Sequence, residues 1–113
     1  MPITNQRILQ YGLLGALYDD EYFPNEVLDK GKAILVRLCE RIEADPTHNL
    51  DALYELTHAA TAEFNGLEAE FEAAGSEIET VAREEIGEAF WVIAQAYGYS
   101  DADSEELIAT REW

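Results

Sequence analysis

The chain has 113 residues, with 24 acidic and seven basic side chains and a formal net charge of −17. So negative a surface repels nucleic acid and anionic lipid, which argues against direct binding to either, and it attracts basic protein surfaces. Hydrophobic residues make up 48% and aromatic ones 11%, the content of one folded domain rather than of an acidic disordered tail.

The apolar spacing is helical throughout and predicts an all-α, up-down bundle of four main helices plus a short C-terminal one, a single domain over residues 1–113. The opening residues lack the pattern of a signal peptide. The apolar stretch Tyr11–Tyr18 is too short to cross a bilayer, so the expected location is cytoplasmic. A first helix is predicted from Asn5 to Tyr18, capped by Thr4, with Gly12 and Gly15 suggesting close approach to a neighbour. A second follows from Asn25 to Ala44, on the stripe Leu28, Gly31, Leu35, Leu38 and Ile42. It carries four of the seven bases, Lys30, Lys32, Arg37 and Arg41. Cys39 sits among its apolar residues and reads as a small buried side chain. As the lone cysteine it forms no internal disulfide, which suits a reducing compartment. Asp45-Pro46-Thr47-His48 is read as a turn.

The third helix is the most regular. Leu50, Leu53, Thr57, Ala60, Phe64, Leu67, Phe71 and Ala74 repeat by threes and fours up to a stop at Gly75. The fourth is predicted to open with the capping box Ser76-Glu77-Ile78-Glu79, Ser76 capping and Glu79 reaching back, and to run to about Gly98. A short helix capped by Asp103 leads into Arg111-Glu112-Trp113, with Leu107, Ile108 and Trp113 folded back on the bundle.

Tyr22-Phe23-Pro24-Asn25, Leu56-Thr57-His58-Ala59-Ala60-Thr61, Ser76 to Glu84 and Thr110-Arg111-Glu112-Trp113 together resemble a family of short, acidic bacterial proteins known as a domain of unknown function. The resemblance spans nearly the whole chain. It implies a bacterial source and an all-helical fold, and it implies no activity.

Candidate chemistry is sparse. Glu55 and His58 have Glu-x-x-His spacing, which places both on one helical face, and with a third carboxylate they would form a metal site. The motif occurs once, and His48 has no glutamate three residues before it, so a solvent-facing pair is the preferred reading and no cofactor is expected. Asp101, Asp103, Glu105 and Glu112 echo a calcium loop, but Glu106 stands where its glycine is needed. Glu79 and Arg83 are one turn apart and read as a structural ion pair. There is no phosphate loop, no Ser-His-Asp set and no zinc cysteine pair.

What remains is charge. Residues 1–41 hold six acids and five bases. Residues 42–113 hold eighteen acids and only Arg83 and Arg111. Solubility of a small domain needs a net charge of only about two to eight. The expected function is therefore a non-enzymatic acidic binding protein that docks on a basic protein partner, in the manner of a toxin-neutralising immunity protein or inhibitor, with a nuclease as a natural target. Glu63, Glu70, Glu84, Glu85 and Glu88 are the expected contact residues. The alternatives are a metal-binding or catalytic bundle centred on Glu55 and His58, and an oligomerising module.

Overall fold

The structure is a computed structural model that describes residues 4–45 and 49–113. Met1–Ile3 and the expected turn residues Pro46, Thr47 and His48 lie outside the described residues. Among the described residues six helices follow one another: α1 (Gln6–Tyr11), α2 (Gly15–Tyr18), α3 (Asn25–Ala44), α4 (Leu50–Ala73), α5 (Thr80–Ala96) and α6 (Ser104–Leu107). No strand occurs among the described residues, so the chain is the all-α bundle its periodicity predicts. None of the described helices is long and apolar enough to cross a membrane.

The first predicted helix is broken. Asn5, not Thr4, caps α1, its side-chain oxygen accepting from the Ile8 amide at 3.2 Å. Thr4 instead donates through its amide and hydroxyl to the Glu43 carboxylate on α3. The helix ends at Gly12, with φ +74°, and Leu14 follows at φ +60°, a conformation costly for a leucine. Burial offsets that cost, since Leu14 is 1% exposed. The break buries Leu13 and Leu14 between Ile8 of α1 and Leu17 of α2.

The close approach expected of Gly12 and Gly15 is made by Gly31. A Cβ on Gly12 or Gly15 would meet nothing within 4 Å, whereas one on Gly31 would sit 3.1 Å from Phe64 Cε1 and 3.3 Å from Leu14 Cδ1. Gly31 thus lets α4 and the α1–α2 corner close on α3. The α3–α4 pairing is the most extensive in the molecule. Lys30 reaches Glu70 and Arg37 reaches Glu63, so numbers rise on one helix as they fall on the other and the pair is antiparallel. Cys39 is fully buried there, and burial pushes its thiol up to about 12, which disfavours the thiolate.

The capping box does not form. Gly75 takes φ +82°, the Ser76 amide bonds back to the Phe71 carbonyl at 2.8 Å, and residues 76–79 run on without helix. Ile78 lies in this extended step and is buried at 5% exposure. Ser76 Oγ is buried without a hydrogen-bond partner, and Glu79 becomes the N-cap residue with no side-chain bond.

The two mid-helix glycines Gly31 and Gly66 make a matched test. Nothing lies within 4 Å of a Cβ on Gly66, so Gly66→Ala should stabilise by ~0.5–1 kcal/mol through helix propensity alone. Gly31→Ala should lose that gain, because overpacking costs typically ~1–3 kcal/mol. Urea melts of the two variants decide it. An equal rise in both would show that no close packing depends on Gly31.

Candidate functional site: the cleft beside α5

The last eleven residues are tied down by a stripe of α4. Tyr54, His58, Thr61 and Asn65 recur by threes and fours, which places them on one side of the helix. The Asp103 amide donates to the Tyr54 hydroxyl at 3.0 Å. His58 Nε2 lies 2.7 Å from the Glu106 carbonyl and 3.0 Å from its carboxylate. A carbonyl only accepts, so Nε2 carries the proton. Thr61 Oγ1 reaches the Leu107 carbonyl at 3.4 Å. The Asn65 amide nitrogen donates to the Thr110 carbonyl at 3.0 Å, while its oxygen accepts from the Glu112 amide at 2.8 Å. Asp103 caps α6 as expected, accepting from the Glu105 and Glu106 amides. On the other side of this strap Leu107, Ile108 and Trp113 are buried, with the Trp113 ring 6.4 Å from Phe64.

These contacts assign His58 a role the sequence reading missed. Glu55 is exposed as expected, but His58 is half-buried and holds the tail. Among the described residues no three His, Cys, Asp or Glu side chains converge to hold a metal ion. A signal was present, since four polar residues at helical spacing beside an apolar seam mark a second contact surface as readily as a solvated one.

The strap forms one wall of a cleft of about 470 Å³, to which it contributes Ser104, Glu105 and Arg111. α5 supplies the other wall, with Arg83, Glu84, Gly87, Glu88 and Trp91. The only two bases of residues 42–113 therefore meet in one place. Arg111 lies 3.8 Å from Glu105 and its guanidinium sits 5.7 Å from the Trp113 ring centre. The expected ion pair between Glu79 and Arg83 is not made. Glu79 has an extended backbone, φ −103° and ψ −171°, and stands before the first helical turn, so the geometry of an i, i+4 pair does not apply. Arg83 Nε is buried without a hydrogen-bond partner.

The five expected contact acids separate into two groups. Glu63 and Glu70 turn toward α3 and are paired with Arg37 and Lys30. Glu84, Glu85 and Glu88 crowd one stretch of α5 and form no ion pair with a base among the described residues. Burial, and then the neighbouring Glu88 charge, push the Glu85 carboxyl above its ordinary value of 4.5. Burial and the charges of Glu85 and Glu88 raise the facing Tyr11 to about 12. The outer face of α5 also shows two large apolar side chains, Val81 at 53% and Trp91 at 41% exposure.

A carboxyl whose value is raised on folding favours the protonated form, so its contribution to stability falls as pH climbs through its ordinary and its folded values. Glu85→Gln should therefore raise the melting temperature at neutral pH, by the ~0.2–0.5 kcal/mol of a relieved like-charge helical pair. The advantage should vanish below about pH 4. A stabilisation that persists unchanged in acid would show that charge is not its cause.

No curated protein and no solved structure matches the chain. A family model matches residues 7–113, which include α2 to α6, α1 from its second residue onward, and the whole cleft. The chain belongs to that family, DUF5713, a family of unknown function.

Proposed function

We propose that this protein is a non-enzymatic acidic binding protein that docks on a basic surface of a partner protein through the outer face of α5. The observation that supports this most is the placement of the unpaired acids. Lys30 and Arg37 are engaged with Glu70 and Glu63, so the acids left without a basic partner on α5 are Glu84, Glu85 and Glu88. At 100° per residue, Val81, Glu84, Glu85, Glu88 and Trp91 fall within about a third of the helix circumference. An exposed indole ringed by acids combines the two features that interfaces use, an aromatic anchor and a steering charge. Like charges crowded on one turn repel one another, and a basic partner removes that repulsion on contact.

A bacterial, cytoplasmic inhibitor of a toxin is the way of life that fits such a face. The partner's own basic groove, built for phosphates in a nuclease, would be the complementary surface. Among the described residues no third ligand converges on Glu55 and His58 to support the metal-centred alternative.

The test is kinetic. With a partner captured from the source cells, Glu84→Gln, Glu85→Gln and Glu88→Gln combined should weaken binding at least ~10-fold, about 1.4 kcal/mol. Most of that loss should lie in the association rate, and it should shrink as salt rises. Glu63→Gln with Glu70→Gln should cost less, since both are already paired. Trp91→Ala should act on the dissociation rate instead. A partner with an acidic contact surface, or one that binds the triple variant as tightly as the parent at low salt, would overturn the reading.

A further inference from the structure

Arg83 is the least expected group in the cleft. The chain has 24 acids, and Glu79, Glu84 and Glu88 all lie near Arg83 in sequence, yet none pairs with it. Its Nε is buried without a hydrogen-bond partner, and its guanidinium, on the lining of the cleft, makes no ion pair with a described carboxylate. Gly87 is the second oddity. It interrupts a 17-residue helix, where glycine costs ~1 kcal/mol against alanine. Packing does not demand it, because a Cβ there would find only Ile108 Cδ1, at 3.6 Å, an ordinary contact. A glycine that packing does not require keeps the floor of the cleft open.

We propose that this cleft binds a small zwitterion of the α-amino acid class with an apolar or aromatic side chain. Its carboxylate meets Arg83, its ammonium faces Glu84 and Glu88, and its body lies on the exposed Trp91 ring. Each part of the ligand answers a feature of the lining. The free guanidinium calls for an anion, and Arg's planar fork suits a carboxylate. The α5 carboxylates call for a cation beside it, and an ammonium also gains from the indole face. Two bases against Glu84, Glu88 and Glu105 give the lining a net charge of −1, which disfavours polyanions such as nucleotides. A volume of about 470 Å³ falls within the usual range of small-molecule sites. The cleft shares Glu84, Glu88 and Trp91 with the docking face, but this binding needs no protein partner and is tested on the isolated chain.

The experiment is titration calorimetry of the full chain with L-phenylalanine and L-leucine, beside N-acetyl-L-phenylalanine, which lacks the ammonium, and L-phenylalaninamide, which lacks the carboxylate. At least one free amino acid should bind with a Kd below ~1 mM, and blocking either end should weaken it at least ~10-fold. Arg83→Gln, and Gly87→Leu which fills the floor, should each cost at least ~10-fold, with Lys32→Gln on the exposed face of α3 unchanged. Both cleft variants are compared only after their melts show a folded chain, and the blocked-ligand series on the parent needs neither. If neither amino acid binds, if either blocked form binds as tightly as the free one, or if Arg83→Gln binds as the parent does, the proposal fails.

Discussion

The hydrogen bonds from one polar stripe of α4 to the chain's last eleven residues hold the site together. Without the side chains of Tyr54, His58, Thr61 and Asn65, residues 103–112 would keep little polar attachment to α4 beyond the Thr110 hydroxyl on the His58 carbonyl, and a four-residue helix such as α6 has no stability of its own. With them, Trp113 is carried over Phe64, whose ring also meets Phe90 at 5.9 Å and fills the space that Gly31 leaves. Phe64 thereby links α3, α5 and the strap in one contact set. The cleft wall made by Ser104, Glu105 and Arg111 belongs to this strap, which the buried Leu107, Ile108 and Trp113 hold from its other side.

Charge is sorted by the same architecture. The antiparallel register of α3 and α4 spends two α3 bases on Glu63 and Glu70. At the opposite end Glu43 gathers the Thr4 and Asn5 amides and the Tyr97 hydroxyl. Burial opposes its ionisation, yet those hydrogen bonds hold its carboxyl below the ordinary value of 4.5. Helix α5 receives no such compensation. Its acids repel one another and two of its large apolar side chains, Val81 and Trp91, face out, so the charge with the least internal support is concentrated on this element.

Much of the fold was legible because long helices advertise themselves. The α3 and α4 seams were readable to within a residue or two from their apolar spacing, and so was the Asp103 cap. The break at Gly12 to Leu14 was not, because only tertiary burial of Leu14 makes its left-handed backbone tolerable. The Ser76 cap did not form because Gly75 turns left-handed and the Ser76 amide closes the end of α4 on the Phe71 carbonyl, so the next helix begins only at Thr80. Which of the five acids are paired was not legible, because pairing across helices decides it and periodicity within one helix carries no such information. Arg83 was noticed for its isolation in sequence. Its role changed when Glu79 proved to precede the helix.

The central claim is that α5 presents the recognition face, and photo-cross-linking tests it most directly. A benzoyl-phenylalanine in place of Trp91 should capture a protein with a basic contact surface in the source cells, with a yield that falls as salt rises towards ~0.15 M, where the Debye length is about 8 Å. The same group in place of Lys32, on the exposed side of α3, should capture little. An acidic partner, or equal capture from both positions, would contradict the account.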